Sequence, residues 1–110
     1  MTITKQANLE QAQLVTATFG FTNSKKDTAF WDTTLSPLLN EIEADLTLEQ
    51  IRELPNIIAT KKAYKAVGLD AARHRPSSDS LLRRVVKGQG LYQINALVDV
   101  NNYLSLKLQL

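Results

Sequence analysis

Between Lys61 and Lys87 the chain places eight basic residues, Lys61, Lys62, Lys65, Arg73, Arg75, Arg83, Arg84 and Lys87, against two acidic ones, Asp70 and Asp79. Such a segregated cationic segment suits attraction of phosphate rather than bond-making. The plainer alternative is a solvated helical face that offsets the acid-rich half, where Asp27 to Glu53 holds seven acidic residues and one basic. His74, between Arg73 and Arg75, could meet a phosphate or act as a base, but an exposed loop histidine without a role is the simpler reading. Glu41, Glu43 and Asp45 cluster within one helix; paired carboxylates can exchange protons, but here a solvated face is the simpler reading. Ser77, Ser78 and Ser80 read as capping residues before nucleophiles. No serine sits in a Gly-x-Ser-x-Gly elbow, and Gly88-Gln89-Gly90 is too short for a phosphate-cradling loop. Asp99 and Asn102 lie one turn apart, a spacing that suits a local side-chain hydrogen bond. The residues themselves contain no complete catalytic site.

A length of 110 residues suits one small domain, and 44% apolar residues are enough for a core. The chain has no cysteine and one histidine. That excludes a disulfide, a thiolate metal site, a cysteine nucleophile and a multi-histidine metal site. No apolar run approaches the ~20 residues of a membrane helix. The opening MTITKQANLE lacks the apolar core of a signal peptide. A cytoplasmic location without membrane association is expected.

The elements that must position these residues follow from apolar spacing. Leu14 to Phe21 is the best strand, with Gly20 as a bend and Thr22 to Asp27 as a polar turn. Phe30, Trp31, Leu35, Leu38, Leu39 and Ile42 recur at helical spacing, with Pro37 tolerable in a first turn after Ser36. Trp31 could stack on a base, but a core anchor is the better reading. Thr47 and Gln50 form a capping-box pattern for a short helix to about Glu53. Pro55 opens a helix to about Val67, stopped by Gly68, with Lys61, Lys62 and Lys65 on its exposed side.

After Pro76, Ser77 or Ser78 can cap a helix whose first turn holds Asp79. Leu81, Leu82, Val85 and Val86 lie along one side; Arg83, Arg84 and Lys87 lie on the other and towards the C-terminus. Gly88 is the stop. A last helix runs from about Asn95 or Ala96 to about Gln109. At about 100° per residue, Leu97, Val100, Leu104 and Leu108 share one face. Asn95, Asp99 and Asn102 share the opposite face, while Asn101 and Ser105 flank the apolar stripe.

The run INALVDVNNYLSLKLQL resembles the segment VDVTNYVxLELGQP of the B3/B4 domain, which carries the editing site in the beta subunit of bacterial phenylalanyl-tRNA synthetase. The longer run RPSSDSLLRRVVKGQGLYQINALVDVNNYLSLK is still more similar to the free-standing B3/B4 proteins. There a Pro-Ser-Ser-acid-x-Leu-Leu-Arg-Arg helix precedes an Ile-Asn-x-Leu-Val-Asp-x-x-Asn helix. With KKAYKAVGLDAARHRPSS upstream, the similarity spans about residues 61–110. The family continues past this helix with a Pro-x-x-Ala-Phe-Asp-like segment, more strands and the other pocket wall. In the synthetase form a histidine also follows this helix. The sequence ends at Leu110, so a B3/B4-like domain truncated at its C-terminus is expected over residues 1–110. In the synthetase form a Thr-Asn pair contributes to the amino-acid pocket; Asn101 and Asn102 stand at the matching positions, so the Asn is kept and the Thr replaced.

The resemblance implies an α+β fold, mostly helical in this chain with one or two N-terminal strands, as half of a B3/B4-type domain. It implies a substrate pocket formed in part by Asp99, Asn101 and Asn102. It implies tRNA or other RNA as partner, met by Lys61, Lys62, Arg73, Arg75, Arg83, Arg84 and Lys87. In keeping with the resemblance, no metal or organic cofactor is expected. The activity implied is hydrolysis of mischarged tRNA in trans by a positioned water, in a complete domain. A non-catalytic RNA-binding module, or a protein-interaction module that has lost the editing chemistry, is the alternative. The leucine stripe of the last helix, uncovered by later strands, favours a homodimer. Folding that helix back on the helix from Pro55 to Val67 would instead give a monomer.

Overall fold

The structure, a computed structural model, describes residues 2–9 and 12–110, with side chains from residue 15 onward. Strands β1 (Thr2–Leu9) and β2 (Ala12–Thr18) pair antiparallel, with Thr2 opposite Thr18 and Lys5 opposite Val15. The expected strand is thus present but shifted towards the N-terminus, ending at Thr18 rather than Phe21. The register shifts between Gln6 and Leu9.

The rest of the described chain is helical. Helix α1 (Thr28–Phe30) starts at Asp27, whose carboxylate accepts the Phe30 N–H at 3.0 Å. It continues without a break through a π-helical turn, Trp31–Leu35, into α2 (Ser36–Asp45). The sequence reading had Pro37 in a first turn after Ser36; here it sits inside a longer helical run. Pro37 has no N–H to offer the preceding turn, so a regular i to i−4 bond is impossible there. The Ser36 N–H reaches back to the Trp31 carbonyl, and the wider turn absorbs the defect.

Helix α3 (Leu48–Ile51) opens with the expected capping box. Thr47 Oγ1 accepts from the Gln50 N–H at 3.2 Å, and Gln50 Oε1 accepts from the Thr47 N–H at 2.9 Å. Helix α4 (Pro55–Ala66) starts on Pro55 and ends before Gly68, at φ 84°. Helix α5 (Ser77–Val86) is capped differently from expectation. Pro76 holds the cap position with extended backbone, and Ser77 and Ser78 are already inside the helix. Pro76 is itself buried, as is Ser78, whose hydroxyl finds no partner; Ser77 Oγ instead lies 3.4 Å from Ser105 Oγ. Helix α6 (Ala96–Leu108) has Asn95 as its N-cap and ends on Gln109 in the left-handed region.

One core joins these helices. It consists of Leu35 and Leu38, Ile51, Ile57, Leu82 and Val85, and Leu106, with Phe30, Trp31, Leu39, Ile42 and Tyr103 packed around it. Trp31 is therefore a core-lining residue, and its neighbour Phe30 meets Tyr103 of α6 edge-on at 5.6 Å.

Candidate nucleic-acid interface

The basic segment folds around a single carboxylate. Asp79, in the first turn of α5, is fully buried. Arg83 Nε, one turn on, donates to Oδ1 at 2.5 Å. Lys61 Nζ of α4 lies 3.1 Å from Oδ2, and Arg75 Nε lies 3.9 Å from it. Neither approach to Oδ2 has hydrogen-bond geometry, so that oxygen is held by charge alone. These three ion pairs, all those among the described residues, converge on Asp79 and tie α4, the segment before α5, and α5 together. A buried carboxylate requires such compensation, because its desolvation costs several kcal/mol. From sequence, Asp79 read as a helix-dipole residue; Arg75 and Arg83 stand four positions to either side of it, while its pairing with Lys61, 18 positions away, has no local signal.

The seven basic residues expected to face RNA therefore divide. Lys61, Arg75 and Arg83 are committed to Asp79. Lys62, Arg73 and Lys87 are exposed, and His74 is exposed beside Arg73. Arg84, half-buried, lays its guanidinium over the Tyr92 ring at 4.7 Å from the centroid. Lys61, Lys62 and Lys65 also rim an open pocket of about 490 Å³ whose walls include Leu69 and Ala71. Glu43, from the acidic half, approaches the end of α5: a Cβ added to Gly88 would lie 3.6 Å from its Oε1.

The polar trio on α6 separates in the same way. Asp99 was expected on a polar face opposite the leucines, yet it is buried. Ala96, Asp99, Tyr103 and Leu106 follow one line down the helix at three- and four-residue spacing, and that line faces the core. Asp99 Oδ1 accepts the Ile94 N–H at 3.1 Å, while its Oδ2 is buried without a partner. Asn101 is exposed and lines an open pocket of about 220 Å³ with Ser77, Leu104, Ser105, Leu108 and Leu110. Asn102 is half-buried and does not line that pocket.

The α6 N-terminus is closed by residues that the sequence reading placed in an undifferentiated turn. Ser24 carbonyl accepts the Ala96 N–H at 3.0 Å, Asn23 Oδ1 accepts the Leu97 N–H at 3.0 Å, and Asn95 Oδ1 accepts the Val98 N–H at 2.9 Å. Asn23 Nδ2 then donates to Asn95 Oδ1 at 3.2 Å. With its leading donors all satisfied within the chain, this helix end offers no vacant N–H groups to an anion.

Among the described residues no group of histidine, cysteine and carboxylate side chains is arranged to hold a metal ion. No described helix is long and apolar enough to cross a membrane. No family model, curated protein or solved structure matches the chain. The B3/B4 resemblance stands on the quoted residues alone.

Proposed function

We propose that the chain is a tRNA-binding module of the aminoacyl-tRNA editing type, acting in the cytoplasm. The carrying observation is the division of its cations. Asp79 organises Lys61, Arg75 and Arg83 from beneath, while Lys62, Arg73, Lys87 and the half-exposed Arg84 are left towards solvent for phosphate. Three cations around one carboxylate leave that cluster net positive as well. In a complete domain the activity would be hydrolysis of mischarged tRNA in trans, with Asn101 and Asn102 contributing to the amino-acid pocket.

The non-catalytic alternative has one observation in its favour. Asp99 accepts a backbone N–H in the turn before α6 and is buried, and the pocket beside Asn101 is open. That arrangement supports a binding module, of RNA or protein, more directly than a reaction centre.

The test is binding of total tRNA across a salt series. Affinity should fall steeply between ~50 and ~200 mM salt, since each phosphate contact releases counterions. Arg84→Glu should weaken it for all tRNA sequences. Binding that ignores both salt and this charge reversal overturns the proposal. A deacylation assay then separates the two readings: residues 1–110 alone should show no efficient hydrolysis of mischarged tRNA. In a longer form with activity, Asn102→Ala should lower it more than Asn101→Ala.

A further inference from the structure

The fold gives Tyr92 an unusual setting. After α5 the chain turns on Gly88 at φ 75° and Gly90 at φ 61°, with the Gln89 N–H bonded to the Arg84 carbonyl at 3.1 Å. Side chains with a Cβ rarely adopt those angles, so the two glycines permit the reversal. The chain that returns alternates. Leu91 packs against the core, Tyr92 points outward at 74% exposure, Gln93 is half-buried, and Ile94 points outward at 55%. Leu91 below and Asp99 at the Ile94 N–H hold this short segment at both ends. The tyrosine ring is thus presented by fixed backbone, with the Arg84 guanidinium over one face.

Large aromatic surface held open to water asks for a ligand with a flat apolar face. The surroundings choose among such ligands by charge. Arg84 lies against the ring, and Lys87 is exposed at the C-terminal cap of the same helix, three residues on. An unpaired nucleobase attached to a phosphate backbone matches both features, because its π-face stacks on the ring while the adjoining phosphates meet the cations. A base inside a duplex has its faces already occupied by its neighbours. We infer that Tyr92, backed by Arg84, is a stacking platform for an unpaired nucleotide, and that the chain selects single-stranded RNA or loops over duplex. This rests on the RNA-binding reading above and adds to it the form of RNA recognised.

The experiment measures fluorescence anisotropy of a labelled single-stranded RNA oligonucleotide and of the same oligonucleotide annealed to its complement, at low salt. The single strand should bind more tightly than the duplex. Tyr92→Ala should weaken single-strand binding about tenfold, as loss of one stacked base does, and leave duplex binding and the salt dependence unchanged. Tyr92→Phe should bind as the parent does, because the ring and not the hydroxyl is used. Equal circular dichroism and thermal melting of the variants show that the exposed position is tolerated by the fold. If Tyr92→Ala binds single strands like the parent, the platform is overturned while the RNA reading stands. If the parent binds neither RNA at any salt concentration, both fall.

Discussion

Helices α5 and α6 both carry apolar residues at helical spacing, and they use them in opposite directions. Helix α5 turns Leu82 and Val85 into the core, with Leu81 and Val86 at its margin. Helix α6 leaves Leu97, Val100, Leu104 and Leu108 at 49%, 37%, 46% and 49% exposure, and packs Ala96, Asp99, Tyr103 and Leu106 inward. The difference lies in how many apolar lines each helix offers. In α5 the remaining faces carry serine, Arg83 and Arg84, so only one orientation buries Leu82 and Val85 while keeping every buried charge paired. Helix α6 has apolar residues on both sides, and the tertiary partners decide: Phe30 meets Tyr103, and Asn23 and Ser24 fix the rotation at the N-terminus.

The largest effect that sharpens this contrast is a pair of truncations. Leu82→Ala should destabilise the chain by about 3 kcal/mol, the transfer and cavity cost of a fully buried leucine. Leu104→Ala, on the outward stripe, should stay within about 0.5 kcal/mol. Urea unfolding followed by circular dichroism gives both values. Measured at concentrations where the mass is that of the monomer, equal losses at the two positions would mean that the α6 stripe is covered within the chain itself.

Asp79→Ala probes the other anchor of α5. It removes the counter-charge from Arg83, which is only 15% exposed, and from Lys61 and Arg75. Breaking a buried pair from one side costs about 3 kcal/mol, and the same unfolding experiment measures it. Asp79→Asn, which keeps the shape, should cost less and should raise tRNA affinity, because Lys61 and Arg75 are released towards phosphate. A stability unchanged by Asp79→Ala would show that the ion pairs do not hold α4 to α5.

These two helices also mark what the sequence discloses. Helix limits are local matters and were legible: the Thr47–Gln50 capping box, Pro55 at a helix start, Gly88 after a helix end, and Asn95 through Gln109 as the last helix. The N-terminal strand was legible in kind and misplaced by a few residues, since pairing with Thr2–Leu9 sets its limits. The helical spacing from Phe30 to Ile42 was legible, but Pro37 reads as a first-turn residue, whereas a π turn carries it inside a longer helical run. The α6 leucine stripe was legible as uncovered, and it is exposed; the burial of Asp99 on the other side was not, since Ala96, Tyr103 and Leu106 are too few and too scattered to mark that side as a core face. The site was legible as charge but not as arrangement: that Asp79 takes Lys61 from α4, and that Tyr92 lies against Arg84, are contacts between segments that composition does not encode.

The smallest expected change in stability belongs to the substitution with the clearest change in assembly. The α6 stripe carries no charged residue at Leu97, Val100, Leu104 or Leu108, and Leu110 beside it is also exposed. Asn56 Nδ2 of α4 donates to the Leu108 carbonyl at 2.6 Å at the end of α6, yet Leu97, Val100, Leu104 and Leu108 stay exposed, so α4 does not cover the stripe. A two-fold dimer would set this leucine-rich face, with Lys107 at its margin, against its own copy, and would remove apolar surface worth about 25 cal/mol per Å². Sedimentation across a concentration series should show a mass rising from the 12.3 kDa of the monomer towards twice that value. Leu104→Glu should abolish the rise while leaving circular dichroism unchanged, because a carboxylate at a half-exposed position is solvated in the monomer and desolvated only in the pair. A mass of 12.3 kDa at every concentration would instead mean that the outward leucines of α6 remain against water, and the contrast with α5 would then be one of burial alone.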